Sequence, residues 1–141
     1  MQQTAGRARA ISFTKLELDN IKRLYESTMA VASHGLFFRT GRIVGERIAE
    51  AAKNSENFAD AVAVMLMKEG WVSSAVLADE SIQVNDSIEV TQGFAPTCHI
   101  LRGIFSMIYE KKLVRKVYCH EVECESTGAK QCTFKIDTQV I

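Results

Sequence analysis

The sequence predicts an α+β domain in which helices pack on an antiparallel sheet. Helical periodicity fills the chain as far as Gly70, short valine-rich segments bounded by turn residues follow, and one further amphipathic segment divides them. Strands joined through turns, rather than by repeated helical crossovers, imply antiparallel pairing. A length of 141 residues fits one domain and is enough to bury a core without disulfide staples. The expected organisation is a flexible tail over residues 1–10 and a single ligand-binding domain over 11–141.

Thr14 followed three residues later by Glu17 reads as a capping box, opening a helix whose apolar stripe is Leu18, Ile21, Leu24, Met29 and Ala32. Ser33-His34-Gly35 is expected to end or bend it. A second helix is expected from Leu36 to Lys53, with Gly41 and Gly45 one turn apart on a shared face where another backbone comes close. Asn54-Ser55 offers a cap for a third helix from Glu56 to Glu69, closed by Gly70. Trp71 to Ala78 then reads as a strand, and Ile82, Val84, Ile88 and Val90 alternate with polar neighbours as a second. Pro96-Thr97 starts a fourth helix through Ile100, Leu101, Ile104, Phe105 and Ile108, with Cys98 in its first turn. Leu113 to Glu123 and Gln131 to Asp137 read as two further strands around a turn at Ser126 to Ala129.

Seventeen basic and seventeen acidic residues cancel, so no cationic surplus exists to hold nucleic acid or an anionic membrane. No apolar run approaches the roughly 20 residues of a bilayer span, and no signal-peptide core stands at the start. A cytoplasmic protein is expected. Reduced thiols in that compartment favour metal ligation or simple burial of the four cysteines over disulfides.

All four cysteines lie between Cys98 and Cys132, together with His99, His120, Glu121 and Glu123. Thiolates and imidazoles are the donors zinc prefers. Cys124 and Cys132 flank a turn containing Gly128, so a hairpin can bring both sulfurs to one point, and Cys98 can join them from the start of the fourth helix. A thiolate at a helix N-terminus is favoured by the partial positive charge there. For the fourth donor the spacing leaves Glu121, His120, His99 and Cys119 open. Cys119 and Glu121 share one face of a regular strand while Cys124 points to the other, so a bulge or strand end near Val122-Glu123 must re-aim Cys124 if Glu121 is to meet it.

The run Cys98-His99 to Gly103, then Val117 to Glu121, Cys124, Gly128, Cys132, Phe134 and Ile136, resembles the 4-vinyl reductase domain family, also described as predicted hydrocarbon-binding proteins. The resemblance extends from about Gly35 to Ile136. It implies a zinc ion held by Cys98, Glu121, Cys124 and Cys132, as in the sensor domains of phenol- and xylene-responsive activators, with twenty-two, two and seven residues between successive ligands. It further implies the fold of the ligand-binding domain shared by nitric-oxide signalling proteins and Golgi transport-particle subunits, usually a homodimer. The Tyr-x-Ser-x-Arg haem motif of the nitric-oxide-binding relatives is missing, as are the ATPase and helix-turn-helix segments of the activators, which leaves a sensor module as the expectation.

Four protein donors would close the coordination of the metal, making it structural. No nucleophile-base pair is legible, because Cys119 and His120 point to opposite strand faces, and no Gly-x-Gly-x-x-Gly fingerprint supports a reductase. The expected function is therefore binding of a hydrophobic or aromatic small molecule between helices and sheet. Phe37 and Phe38, Trp71, Ala75, Leu77 and Phe105 are its candidate walls. Cys119, at the position that lines the pocket in the aromatic sensors, would make the cavity roomy and apolar. A structural dimer or scaffold subunit, and a tetrapyrrole or aromatic reductase, are the alternative functions.

Overall fold

A computed structural model describes residues 9–138, so most of the segment expected as a flexible tail lies outside the described residues. Helix α1 (Lys15–Met29) opens with the expected capping box: Thr14 Oγ1 accepts from the Glu17 amide at 3.1 Å, and Glu17 Oε1 accepts from the Thr14 amide at 2.9 Å. It stops earlier than expected, at Ala30, whose φ of 52° leaves the helical region. Helix α2 (Ala32–Ala52) then runs straight through Ser33-His34-Gly35. Helix α3 (Phe58–Lys68) is capped by Asn57, whose side chain accepts from the Asp60 amide, and not by Asn54-Ser55.

Strands β1 (Ser74–Leu77) and β2 (Ser81–Asn85) form a hairpin. The apolar alternation continuing to Val90 lies beyond the sheet, because the chain turns away at Asp86 with φ of 56°. Helix α4 (His99–Leu113) follows, with Cys98 at its N-cap. Strand β3 (Tyr118–Glu123), a one-turn 3-10 segment at Glu125–Thr127 and strand β4 (Cys132–Asp137) complete the described chain. The sheet is antiparallel in the order β1-β2-β4-β3.

Strand periodicity sorts the sheet into two faces. Ile82, Val84, Cys119, Cys132, Phe134 and Ile136 are buried, while Gln83, His120 and Lys135 are exposed. Helix α4 lies on the apolar face, with Leu101, Ile104, Phe105 and Ile108 fully buried and the Phe105 and Phe134 rings edge to face at 5.0 Å. Its opposite side is covered by α2, so α4 is sandwiched.

The α2–α4 contact depends on three glycines. A Cβ built at Gly41 would lie 1.9 Å from the Ile100 carbonyl oxygen, one at Gly45 2.6 Å from that of Ile104, and one at Gly103 1.9 Å from that of Phe38. The backbones therefore touch, as the sequence suggested for Gly41 and Gly45, with Gly103 as the reciprocal gap on α4. Arg42 ties the same seam with paired bonds to Glu110 and a 3.0 Å bond to Ser106 Oγ. Gly41→Ala is expected to lower stability in urea unfolding by about 2 kcal/mol or more, since neither backbone can yield cheaply. Gly35→Ala meets nothing within 4 Å, and should instead leave stability unchanged or raise it by up to about 1 kcal/mol through helix propensity.

Candidate functional site

The cysteine-rich stretch converges where α4 begins. Cys98, Glu121, Cys124 and Cys132 place one donor atom each within 4.8 Å of one another, and all three cysteines are fully buried. The Cys98–Cys132 and Cys124–Cys132 sulfur separations are 3.8 and 3.9 Å, far outside disulfide bonding. The strand irregularity required by the sequence is present: the β3–β4 register shifts between Glu121 and Glu123, and Cys124 stands just past the strand end. Glu121 and Cys124 can therefore meet despite opposite parity. Among the other candidates for a fourth donor, Cys119, His99 and His120 are not part of the cluster.

Local bonds hold each donor. The Cys98 amide donates to Glu121 Oε1 at 3.1 Å, joining α4 to β3. The Glu125 amide points at Cys132 Sγ at 3.3 Å, and Ser87 Oγ lies 3.3 Å from Cys98 Sγ. Thr97 Oγ1 sits 3.8 Å from Cys124 Sγ and is itself bonded to Ser126 Oγ. Glu121 Oε2, by contrast, is buried with no hydrogen-bond partner among the described residues. A buried carboxylate oxygen left in this way is costly unless something outside the chain binds it.

The electrostatics of the metal-free cluster show the same strain. Burial pushes the Glu121 carboxyl up to about 8, reinforced by its interaction with Cys124. Hydrogen bonding from Cys132 and Cys98 draws the Cys124 thiol far below its usual value, while hydrogen bonding to Cys124 and burial hold the Cys98 and Cys132 thiols well above theirs. The three sulfurs thus share a single negative charge among themselves. A divalent cation would remove that competition by stabilising all of them as thiolates.

The candidate wall residues are distributed more widely. Phe105 is enclosed beneath α4, and Cys119 is buried on the same sheet face, its thiol pushed up to about 12 by burial. Ala75 and Leu77 are half-buried on β1 and border the core, as does Trp71 at the entry to that strand. Trp71 lines a hollow of about 410 Å³ with Ile11, Phe13, Leu18 and Ile88, and its indole donates to Glu69 at 3.1 Å. Phe38 is half-buried, with the Arg102 guanidinium 4.5 Å from its ring centroid, while Phe37 is buried in the core.

Several important residues were not singled out in the sequence. Glu89 is fully buried and accepts from the Ile100 and Leu101 amides at 2.9 and 2.8 Å, so it caps α4. Lys22 donates to Glu89 Oε1 and to the Thr97 carbonyl, each at 2.8 Å. Its position one turn after Leu18 put a charge on the inward stripe of α1, which was the available signal; Glu89 had none, reading as an ordinary polar position in an alternating segment. The His34 and His99 rings stack at 4.0 Å. Burial lowers His99 to about 3, and both of its nitrogens lack partners among the described residues.

Residues 81–138 match the family model of the 4-vinyl reductase domain. No curated protein matches the chain. Among solved structures, the phenol-responsive sensory domain of the transcription activator PoxR with phenol superposes with a TM-score of 0.82 at 21% identity, over 94% of this chain and 78% of that one. A vinyl-4-reductase family protein from Methanocaldococcus jannaschii gives 0.66 at 14% identity, over 95% and 85%. From β2 to the end of β4, the segment holding all four cysteines, the chain matches the 4-vinyl reductase domain, and the whole described fold is that of the PoxR sensory domain.

Proposed function

We propose that the protein is a binding or sensor module for a hydrophobic or aromatic small molecule, built around a structural zinc site. The observation that carries the zinc reading is the donor spacing. Ligands at about 2.3 Å from a tetrahedral zinc stand about 3.8 Å apart, and the measured sulfur separations are 3.8 and 3.9 Å. Three buried thiols and the orphaned Glu121 Oε2 supply four donors of suitable chemistry. When bound, zinc would fix the start of α4 to the β3–β4 hairpin, with no coordination position left for water. Cys98, Glu121, Cys124 and Cys132 hold it; no catalytic role is assigned.

The PoxR fold, seen with phenol, supports small-molecule binding as the purpose of that rigid corner. We place the ligand between the helices and the sheet, with Ala75 and Leu77 of β1, Phe105 of α4, Cys119 of β3 and Phe38 of α2 as walls. Trp71 stands at its mouth, where the adjoining hollow of about 410 Å³ is of small-ligand size. A homodimer is favoured by apolar side chains left in solvent along α1 and α2, with Leu24, Val31 and Ile43 between 61% and 74% exposed. No described helix is long and apolar enough to cross a membrane, and four free thiols suit a reducing, cytoplasmic setting.

Purified protein should contain about one zinc per chain, and Cys124→Ala or Cys132→Ala should release it; full occupancy after either change would remove the assignment. Because Cys98, Cys132 and Glu121 are held above their ordinary pKa values without metal, they must lose protons to bind it. Zinc affinity measured by chelator competition should therefore weaken from pH 8 to pH 6, by about tenfold per pH unit for each proton released. Trp71 is the single tryptophan, so intrinsic fluorescence reports on its surroundings directly. Titration with phenol, toluene and naphthalene should give a saturable change for at least one, and native mass spectrometry should recover hydrophobic ligand; failure of both would leave the scaffold alternative. Sedimentation should show a dimer that Ile43→Glu converts to monomer.

A further inference from the structure

A second set of residues encloses Cys98 from the side opposite the hairpin. Ser87 Oγ contacts the Cys98 sulfur and accepts from the Glu89 amide at 3.1 Å. Glu89, 1% exposed, takes the Ile100 and Leu101 amides, the first N–H groups of α4 that lack a helical partner. Lys22 closes the set by bonding both the Glu89 carboxylate and the Thr97 carbonyl, one residue before Cys98. Lys22 is also the buried residue of α1, whose Leu16 and Leu24 are 68% and 61% exposed. The first helix is therefore seated on the body through an ion pair that also fixes the residues around a cluster cysteine.

We propose that Lys22 and Glu89 are positioning residues for the metal centre, and that seating of α1 and metal binding at Cys98 favour each other. The proposal rests on the reading of Cys98, Glu121, Cys124 and Cys132 as a metal site. A metal tolerates only a few tenths of an ångström in donor position, and Cys98 reaches its place through the first turn of α4, whose free amides Glu89 holds. Three thiolates and a carboxylate around a divalent ion carry two excess negative charges; Lys22 and the α4 N-terminus supply nearby positive charge. Loss of Lys22 leaves Glu89 buried without its cation and the Thr97 carbonyl without its donor, loosening the chain on both sides of Cys98. Coupling of this kind is reciprocal: whatever α1 does for the metal, the metal does for α1.

The test uses the full chain, loaded with cobalt as a spectroscopic substitute and with zinc for affinity. Lys22→Met and the shape-conserving Glu89→Gln are compared with wild type, with Cys132→Ala, and with Arg42→Met, which breaks the α2–α4 ion pair away from this corner. Both positioning variants should keep the tetrahedral cobalt-thiolate bands while weakening zinc binding by roughly ten- to hundredfold, as outer-shell substitutions do. Arg42→Met, destabilised elsewhere, should remain within about twofold of wild type by the same scale. Hydrogen exchange of the α1 amides should slow on zinc addition in wild type and fail to slow in Lys22→Met. The proposal is overturned if both variants bind zinc like wild type, if Arg42→Met weakens binding as much as they do, or if α1 exchange ignores the metal. Absence of cobalt-thiolate bands in wild type, with no difference from Cys132→Ala, would instead remove the metal site itself and the proposal with it.

Discussion

One buried carboxylate determines where α4 begins, and the rest of the molecule is set out from that helix. Glu89 accepts the Ile100 and Leu101 amides, so Cys98 becomes the N-cap residue and the helix axis is fixed at its first turn. An uncompensated carboxylate at 1% exposure would be too costly to keep, and Lys22 at 2.8 Å together with two backbone donors makes it tolerable. Removing one partner of such a pair costs about 3–5 kcal/mol in comparable cases, much of a small domain's net stability. Placed in this way, α4 presents Leu101, Ile104, Phe105 and Ile108 to the sheet and its Gly103 gap to α2, while Cys98 faces the hairpin.

The second half of the site follows from strand parity. On an unbroken β3, Glu121 and Cys124 would point to opposite faces, and no rotamer change moves a side chain across a sheet. The register shift after Glu121 resolves this, and the 3-10 turn at Glu125–Thr127 returns the chain so that the Glu125 amide faces Cys132. Bulges of this type re-aim a side chain at the cost of one ladder position. The same device leaves Cys119, two residues before Glu121, on the interior face of the sheet and outside the cluster. One strand therefore serves two environments: an apolar interior through Cys119, and a polar corner through Glu121.

Much of this was legible because it is written in local rules. The Thr14–Glu17 capping box, the four-residue spacing of Gly41 and Gly45, the parity conflict between Glu121 and Cys124, and the turn around Gly128 each state a geometric requirement within a few residues. The misplaced boundaries have tertiary causes. Gly35 has the composition of a helix stop, yet α2 runs through it, because Phe37 and Gly41 downstream and Ser33 upstream are all drawn against the body. Ile88 and Val90 alternate like strand residues, but the chain leaves the sheet so that Glu89 can turn inward to α4. Glu89 itself could not be found from its neighbours, since its partners lie at Lys22, Ile100 and Leu101, far away in sequence. The metal donors were narrowed to four only through the family resemblance; from spacing alone, His120, His99 and Cys119 were equal candidates.

The distribution of burial gives the two ends of the domain different mechanical characters. At the cysteine corner every sulfur is enclosed, and backbone amides, hydroxyls and the α4 cap leave the donors little freedom. The glycine seam, where α2 and α4 touch backbone to backbone, extends that stiffness through the middle of the fold, because atoms already in contact can neither approach nor slide without cost. Around Trp71 the situation is reversed: a half-buried indole, a hollow of about 410 Å³ and the exposed Ile11 and Phe13 meet beside the short strand β1. Few fixed neighbours surround these groups, so rearrangement there breaks little. A module that must admit a molecule and keep its fold needs this asymmetry. Local opening belongs at the Trp71 end, where contacts are sparse, and the cysteine corner supplies the fixed frame against which a change at that end acquires a direction.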